Sequence, residues 1–139
     1  MSKTLSNKMH EHFLKLLPYF RKNMDENNPS IKIEILLTLK RLLRNSKEVS
    51  TYQQSLPEIQ EIIVKGINDD YFRTVTEGLN AAAGLTRLIS FDPNKNSAFI
   101  PPLADVIHKR LKEKDIDQEV KQSSIIAVCH LVRYLHSVS

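Results

Sequence analysis

A single cysteine, Cys129, occurs in 139 residues, so no disulfide can form within the chain. A fold held by packing alone fits a reducing compartment, and the expected localisation is cytoplasmic and/or nuclear. Glycine is equally scarce, with three residues, and none has the spacing of a phosphate-cradling loop. No uninterrupted apolar run approaches the ~20 residues that span a bilayer, and Met1-Ser-Lys-Thr-Leu-Ser-Asn-Lys-Met-His10 lacks the apolar core of a signal peptide. The net charge of +4 is mild and shows no dense basic patch of the kind nucleic acid recruits. Membrane, nucleic acid and small-molecule substrate are therefore not expected as partners, and no cofactor is expected.

At 41% the apolar content is that of a globular protein. A chain of this length can bury roughly two-thirds of the surface it exposes when unfolded. The apolar residues recur at steps of three and four, which predicts helices throughout. A first helix over 8–24 carries Phe13, Leu14, Leu16, Leu17, Phe20 and Met24, with a kink or an early helix start expected at Pro18. Asp25 to Ser30 is a turn, with Ser30 a suitable N-cap. Helix two, 31–45, points Ile31, Ile35, Leu36, Leu39, Leu42 and Leu43 inward and carries Lys32, Lys40, Arg41 and Arg44 outside or along its edges. Ser46 to Ser55 reads as a polar connector.

The cycle then repeats. Pro57 suits the first turn of helix three, whose stripe is Ile59, Ile62, Ile63 and Ile67. Asn68-Asp69-Asp70 makes a turn and cap before helix four, 71–89, which buries Phe72, Val75, Leu79, Ala82, Ala83, Leu88 and Ile89. The run Ala81-Ala82-Ala83-Gly84 predicts a closely packed neighbour. Phe91 to Ser97 is a loop, and helix five runs from Phe99-Ile100-Pro101-Pro102 to Leu111. Helix six begins after Lys114-Asp-Ile-Asp117, where Asp115 and Asp117 can accept hydrogen bonds from free N–H groups and complement the helix dipole. Its apolar positions are Ile116, Val120, Ile125, Val128, Cys129, Leu131, Val132 and Leu135.

Three pairs share one punctuation: a proline-containing first helix, an acidic or amide-rich turn, an apolar–basic step, and a long second helix. The steps Ile31-Lys32, Phe72-Arg73 and Val120-Lys121 lie 41 and 48 residues apart. Periods of ~40–47 residues mark HEAT and armadillo arrays, whose hairpins stack because none buries its own face alone. The predicted fold is all-α: an α-solenoid (HEAT/ARM-type superhelix) of about three helical hairpins. It forms a single segment of approximate repeats 8–45, 54–90 and 98–136, and is a fragment of a longer array. A closed six-helix bundle has no reason to repeat its internal punctuation.

Residues suited to catalysis are poorly placed. His10 and His12, two apart on a helix, point to different faces, unlike a zinc-binding pair at i, i+4. Cys129 and His130 diverge likewise, and Cys129 on the apolar stripe reads as a small core residue with no base beside it. The pairs Asp69-Asp70 and Asp115/Asp117 stand where helices must start, so capping accounts for both. His108, His130 and His136 share no spacing that suggests a common site. No catalytic, cofactor or metal residue is expected, and the chain reads as a binding protein rather than an enzyme.

One surface pattern rises above this background. Lys40, Arg41 and Arg44, then Arg87, then Arg133 with His136 beyond, sit near the ends of the second helices. Arg44, Arg87 and Arg133 lie 12, 14 and 12 residues beyond their apolar–basic steps. Cations there satisfy the last carbonyls and the helix dipole, each worth ~0.3–1 kcal/mol. On stacked hairpins they would also form a basic ridge that steers an acidic protein surface. Lys40, Arg41, Arg44, Arg87 and Arg133 are the candidate partner-binding residues.

Three stretches resemble one family in their order: Asn27 to Leu43, Ile67-Asn-Asp-Asp-Tyr-Phe-Arg-Thr-Val-Thr-Glu-Gly-Leu79, and Ile107-His-Lys-Arg-Leu-Lys-Glu-Lys-Asp-Ile-Asp-Gln-Glu-Val-Lys121. They resemble consecutive HEAT repeats of the cullin-associated, neddylation-dissociated (TIP-one-twenty) family, over most of residues 13–135. The phrase from Arg110 to Lys121 is the closest match, whereas Asp-x-x-Val-Lys alone is common to HEAT repeats. Met1 to Lys8 and the loop Ser90 to Ser97 depart from the pattern. The resemblance implies a non-catalytic scaffold that wraps an unneddylated cullin with its RING subunit, competes with adaptor and substrate-receptor modules, and so regulates the assembly of cullin–RING (SCF-type) ubiquitin ligases. The alternative is another HEAT-array adaptor, a nuclear transport receptor or a tubulin-binding array. Tubulin-binding arrays place an aromatic and bases in the turns within each pair, and the acidic turns here disfavour that reading.

Overall fold

Proline stands at the start of four helices in this chain. Its ring fixes φ near the helical value, and its missing N–H falls among the donors a helix start leaves free anyway. A computed structural model describes the backbone of residues 2–46, 49–114 and 116–138, and the side chains from residue 11 onward except those of 93, 135, 137 and 138. Among these residues the helices are α1 (Ser2–Met24), α2 (Pro29–Asn45), α3 (Leu56–Ile67), α4 (Phe72–Ile89), α5 (Pro93–Asn96), α6 (Ile100–Leu111) and α7 (Gln118–Val138), with no strand. Proline occupies the first or second position of α2, α3, α5 and α6. Pro18 lies inside α1 without ending it.

The hairpins are α1–α2, α3–α4 and α6–α7. The second helices α2, α4 and α7 pack side by side with α4 in the middle, while α3 lies between α1 and α6 in the other layer. The core runs between the layers through Leu17, Leu36, Leu39, Ile59, Ile63, Leu79, Leu85 and Leu103, all essentially without solvent exposure. The fold is an all-α repeat solenoid, as the periodicity predicts.

Several local expectations are corrected. The N-cap of α2 is Asn28 rather than Ser30: Pro29 takes the first helical position, and Asn28 Oδ1 accepts from Ile31 N at 3.4 Å. Ile31 consequently lies 41% exposed instead of inward. The stretch 46–55 is not merely polar, because Val49 and Tyr52 are buried in it. Ser46 Oγ donates to Leu42 O at 2.7 Å and lies 3.1 Å from Tyr52 OH, and the Phe13 ring meets Tyr52 edge-on. The loop predicted over 91–97 contains α5, where Asn96 Oδ1 accepts from Gln53 Nε2 at 2.6 Å and joins the two inter-hairpin connections. In α1, Leu16 is exposed, whereas Phe13, Leu17 and Met24 are buried.

The largest correction falls on α7. Its inner line is Val120, Ser124, Ala127, Leu131 and Tyr134, all buried, while Ile125, Cys129 and Val132 are exposed. At about 100° per residue those three fall on the far side of the helix, roughly 150° round from the inner line. Cys129 is therefore not a core residue. Asp117 Oδ1 accepts from Glu119 N at 2.9 Å, as expected at this helix start. The parallel capping role of Asp115 and the inward position of Leu135 lie outside the described residues.

The small residues of α4 behave as the sequence suggests, though not all for one reason. A Cβ on Gly78 would stand 2.8 Å from Ile67 N and 3.0 Å from Gly66 C, so α3 and α4 touch backbone to backbone there. A Cβ on Gly84 would meet Leu43 Cβ at 3.4 Å and Lys40 O at 4.0 Å, both ordinary contacts. Packing requires glycine at 78 and does not require it at 84.

Charged side chains tie one hairpin to the next. Asp69 ends the α3–α4 turn: its Oδ1 accepts from Tyr71 N at 2.9 Å and its Oδ2 from Lys32 Nζ at 2.9 Å. Arg110, from the last turn of α6, donates through Nε to Ile67 O at 2.7 Å and through Nη2 to Asp69 O at 2.6 Å. Lys65 Nζ, from the last turn of α3, reaches Asp25 at 2.8 Å.

Two stability predictions follow from this packing. Gly78→Ala should lower stability by about 1–3 kcal/mol, because two backbones must separate, while Gly84→Ala should be neutral or stabilise by ~0.5–1 kcal/mol. Thermal melts of the two variants should move in opposite directions or differ clearly in size. Leu39→Ala, which empties a fully buried site, should cost ~2–5 kcal/mol, against about 1 kcal/mol for the half-buried Val128→Ala, and urea titration reads both.

Candidate partner-binding face

The second helices bring most of the predicted basic residues onto one face. Arg44, Arg87 and Arg133 each stand fifteen residues beyond the first residue of their helix, Pro29, Phe72 and Gln118 respectively. Because α2, α4 and α7 lie side by side, equal position along the helix becomes adjacency across the layer. Two adjoining hollows record it. One, of about 370 Å³, is lined by Lys40 and Arg44 from α2, by Ala83, Gly84 and Arg87 from α4, and by Ile126 and His130 from α7. The other, of about 310 Å³, lies toward the helix C-termini between Arg87, Ser90, His130, Arg133 and Tyr134.

The four cations of this face are not equivalent. Lys40 Nζ lies 3.3 Å from Glu77 Oε2, so much of its charge is matched by α4. Arg87 Nη1 donates to Leu43 O at 3.2 Å and Ser46 O at 3.3 Å, and its guanidinium lies 5.4 Å from the Phe91 ring centroid. Helix C-termini leave carbonyls without intrahelical partners, and Arg87 supplies donors to those of α2, the helix before its own. Arg44 and Arg133 are exposed. Arg41, the fifth predicted residue, is placed apart: it lines a hollow of about 500 Å³ between α1 and α2 with His12, Phe13, Leu16, Phe20 and Leu42.

Sequence reasoning left His130 out of the basic face, yet it lines both hollows. Burial holds its imidazole below the usual histidine range, and the Arg133 and Arg87 guanidiniums add to the shift. Its neighbour Cys129 faces away into solvent, so the expectation that the two diverge is met. His12 is exposed, and the partner it was paired with in the sequence, His10, lies outside the described residues. Among the described residues no three His, Cys, Asp or Glu side chains gather as metal ligands would.

Comparison with known proteins identifies the kind of repeat array to which this face belongs. The family described as "CAND1-like, TPR repeats" matches residues 3–128. The chain belongs to the CAND1-like family. The Cullin-associated NEDD8-dissociated protein 1 of Dictyostelium discoideum is 33% identical over 105 residues, which cover 73% of this chain and 8% of that protein. The match thus spans under a tenth of the length of this relative. No solved structure matches the chain. The family's description speaks of TPR repeats, but the second helices here begin at residues 29, 72 and 118. Steps of 43 and 46 residues fit the ~40–47 of HEAT-type arrays better than the 34 of tetratricopeptide repeats. Lys32, Asp69 and Arg110, one in each of the three stretches that resemble the family, join successive hairpins through hydrogen bonds.

The division of labour among the cations is testable. Arg87→Ala should destabilise the fold by about 1–3 kcal/mol through the under-satisfied carbonyls of α2, whereas Arg44→Ala and Arg133→Ala should change stability by less than ~0.5 kcal/mol. Chemical denaturation of the three single variants measures the difference.

Proposed function

We propose that this chain is part of a non-catalytic helical-repeat scaffold that binds an unneddylated cullin–RING assembly and regulates the assembly and receptor exchange of cullin–RING (SCF-type) ubiquitin ligases, in the cytoplasm or nucleus. The observation that carries this reading is the family match over residues 3–128, together with a relative named as cullin-associated and NEDD8-dissociated. The face of α2, α4 and α7 is the docking surface in this reading. Lys40, Arg44, Arg87 and Arg133 lie along it, and Arg41 contributes from the neighbouring α1–α2 side. Exposed charges of this kind act mainly on encounter: each adds under ~1 kcal/mol, and the loss shows in association rate and salt dependence. Arg87 supports the surface by holding the end of α2, so its replacement tests folding as well as binding.

The test is capture of purified cullin–RING subunit, unneddylated or neddylated, by protein carrying this segment, with wild-type sequence or with Arg44→Glu and Arg133→Glu together. The expected result is binding of the unneddylated form, with slower association for the double variant at low salt and convergence with wild type at high salt. Absence of cullin binding by the wild-type protein overturns the proposed partner. An unchanged association rate in a folded double variant removes the basic face from the interface.

A further inference from the structure

The two hollows on the α2–α4–α7 face form one trough with an unusual floor. Gly84 and Ala83 line it where longer side chains would fill it, and the glycine at 84 is not demanded by the packing of α4 against Leu43. The walls are cationic. Lys40 and Arg44 stand on α2, His130 and Arg133 on α7, and Arg87 on α4, and among the described residues no carboxylate lines either hollow. Glu77 neutralises Lys40 from outside the lining, which leaves Arg44, Arg87 and Arg133 as the source of the field. Like charges gathered around a concave surface repel one another and hold a standing demand for anions. Ile126, 45% exposed, adds an apolar contact to one wall.

We propose that this trough is the docking groove for an extended acidic segment of a protein partner, laid along α4 over Gly84 with its carboxylates toward Arg44, Arg87 and Arg133 and one of them toward His130. From Asn80 to Ser90 the trough follows about 15 Å of α4 at 1.5 Å per residue, room for about five residues of extended chain. A segment rather than a single ion fits this length and the spread of cations along it. The proposal rests on the reading of the chain as a protein-binding scaffold but not on the partner being a cullin.

His130 gives the groove a signature. In the free protein its ring is held neutral at pH 7 by burial and by Arg133 and Arg87, with Lys40 and Arg44 facing it from α2 and Tyr134 on its own helix. A carboxylate beside the ring favours the protonated form, so docking takes up a proton. Affinity then rises as pH falls from about 7.5 toward 6, by at most tenfold per pH unit for one proton, while the carboxylates of the segment stay ionised.

The experiment is fluorescence anisotropy of a labelled peptide of alternating Asp and Glu with this chain, against its Asn/Gln counterpart and with inorganic phosphate as competitor. The acidic peptide should bind and the amide peptide should not. Affinity should fall about tenfold or more for Ile126→Glu, which places a like charge on an exposed wall, and for Gly84→Leu, which fills the floor. Gly84→Ala should bind as wild type. His130→Asn should retain binding at about pH 7.5 and lose the gain toward pH 6. Equal binding of both peptides, unchanged affinity in folded Ile126→Glu, or displacement of the peptide by phosphate at equal carboxylate concentration each overturns the proposal. Cullin capture that survives Ile126→Glu and Gly84→Leu leaves the scaffold function in place and rejects this groove alone. A peptide that binds here while cullin does not does the reverse.

Discussion

Everything in this array hangs on how helix ends are satisfied. A helix finishes with carbonyls that have no partner in their own helix, and three stacked hairpins bring several such ends close together. Here the donors come from the following hairpin. Arg87 reaches back from α4 to the end of α2, and Arg110 reaches back from α6 to the end of α3. Lys65 reaches back from α3 only to the Asp25 side chain, an ion pair that contributes less because both partners are solvated. Lys32 and Lys40 run the other way, from α2 to Asp69 and Glu77. Apolar burial drives the hairpins together, but burial is not directional. The cations fix which helix end meets which side chain, and so fix the register of the stack.

The helices and their pairing were legible because a stripe at steps of three and four is a one-dimensional signal. Ile59, Ile62, Ile63 and Ile67 are all buried as that signal predicts. Where the stripe was wide, the sequence could not say which edge faced the neighbour. In α7 the buried line includes Ser123, Ser124, Ala127 and Tyr134, while Ile125 and Val132 lie outside it, since α4 is close enough to want small side chains. Hydropathy ranks isoleucine above serine; proximity reverses the order. Tyr52 was missed for a related reason. Its neighbours are polar, yet one buried ring meeting Phe13 and the Ser46 hydroxyl anchors the whole connection.

The basic face was half legible. Spacing within the second helices located Arg44, Arg87 and Arg133, because equal position in successive repeats is what a stacked array converts into neighbourhood. Spacing did not reveal that Arg87 is engaged with backbone carbonyls, that Glu77 answers Lys40, or that Arg41 turns toward α1. The first two are properties of pairs drawn from different hairpins, some 37 to 44 residues apart in the chain, and the third arises between the two helices of the first hairpin. A second-helix position one turn before Arg133 was the available signal for His130, since residues three and four apart share a helix face.

Close packing and a binding surface make opposite demands, and α4 meets both with the same residue types. Between α3 and α4, Gly78 lets two backbones touch, and a side chain there would push them apart, whereas a Cβ at Gly66 would meet the Leu36 side chain of α2. Six residues beyond Gly78, Gly84 faces α2 at a distance where a Cβ would make only ordinary contact. An alanine at 84 would serve the helix better on propensity alone. The glycine instead lines a hollow shared with Arg44, Arg87 and His130, where among the described residues no lining carboxylate answers the repulsion among the cations. A fold that matches charge so carefully between hairpins, at Asp69, Glu77 and Asp25, and leaves it unmatched along one trough, concentrates its unmet electrostatic demand where a partner can reach it.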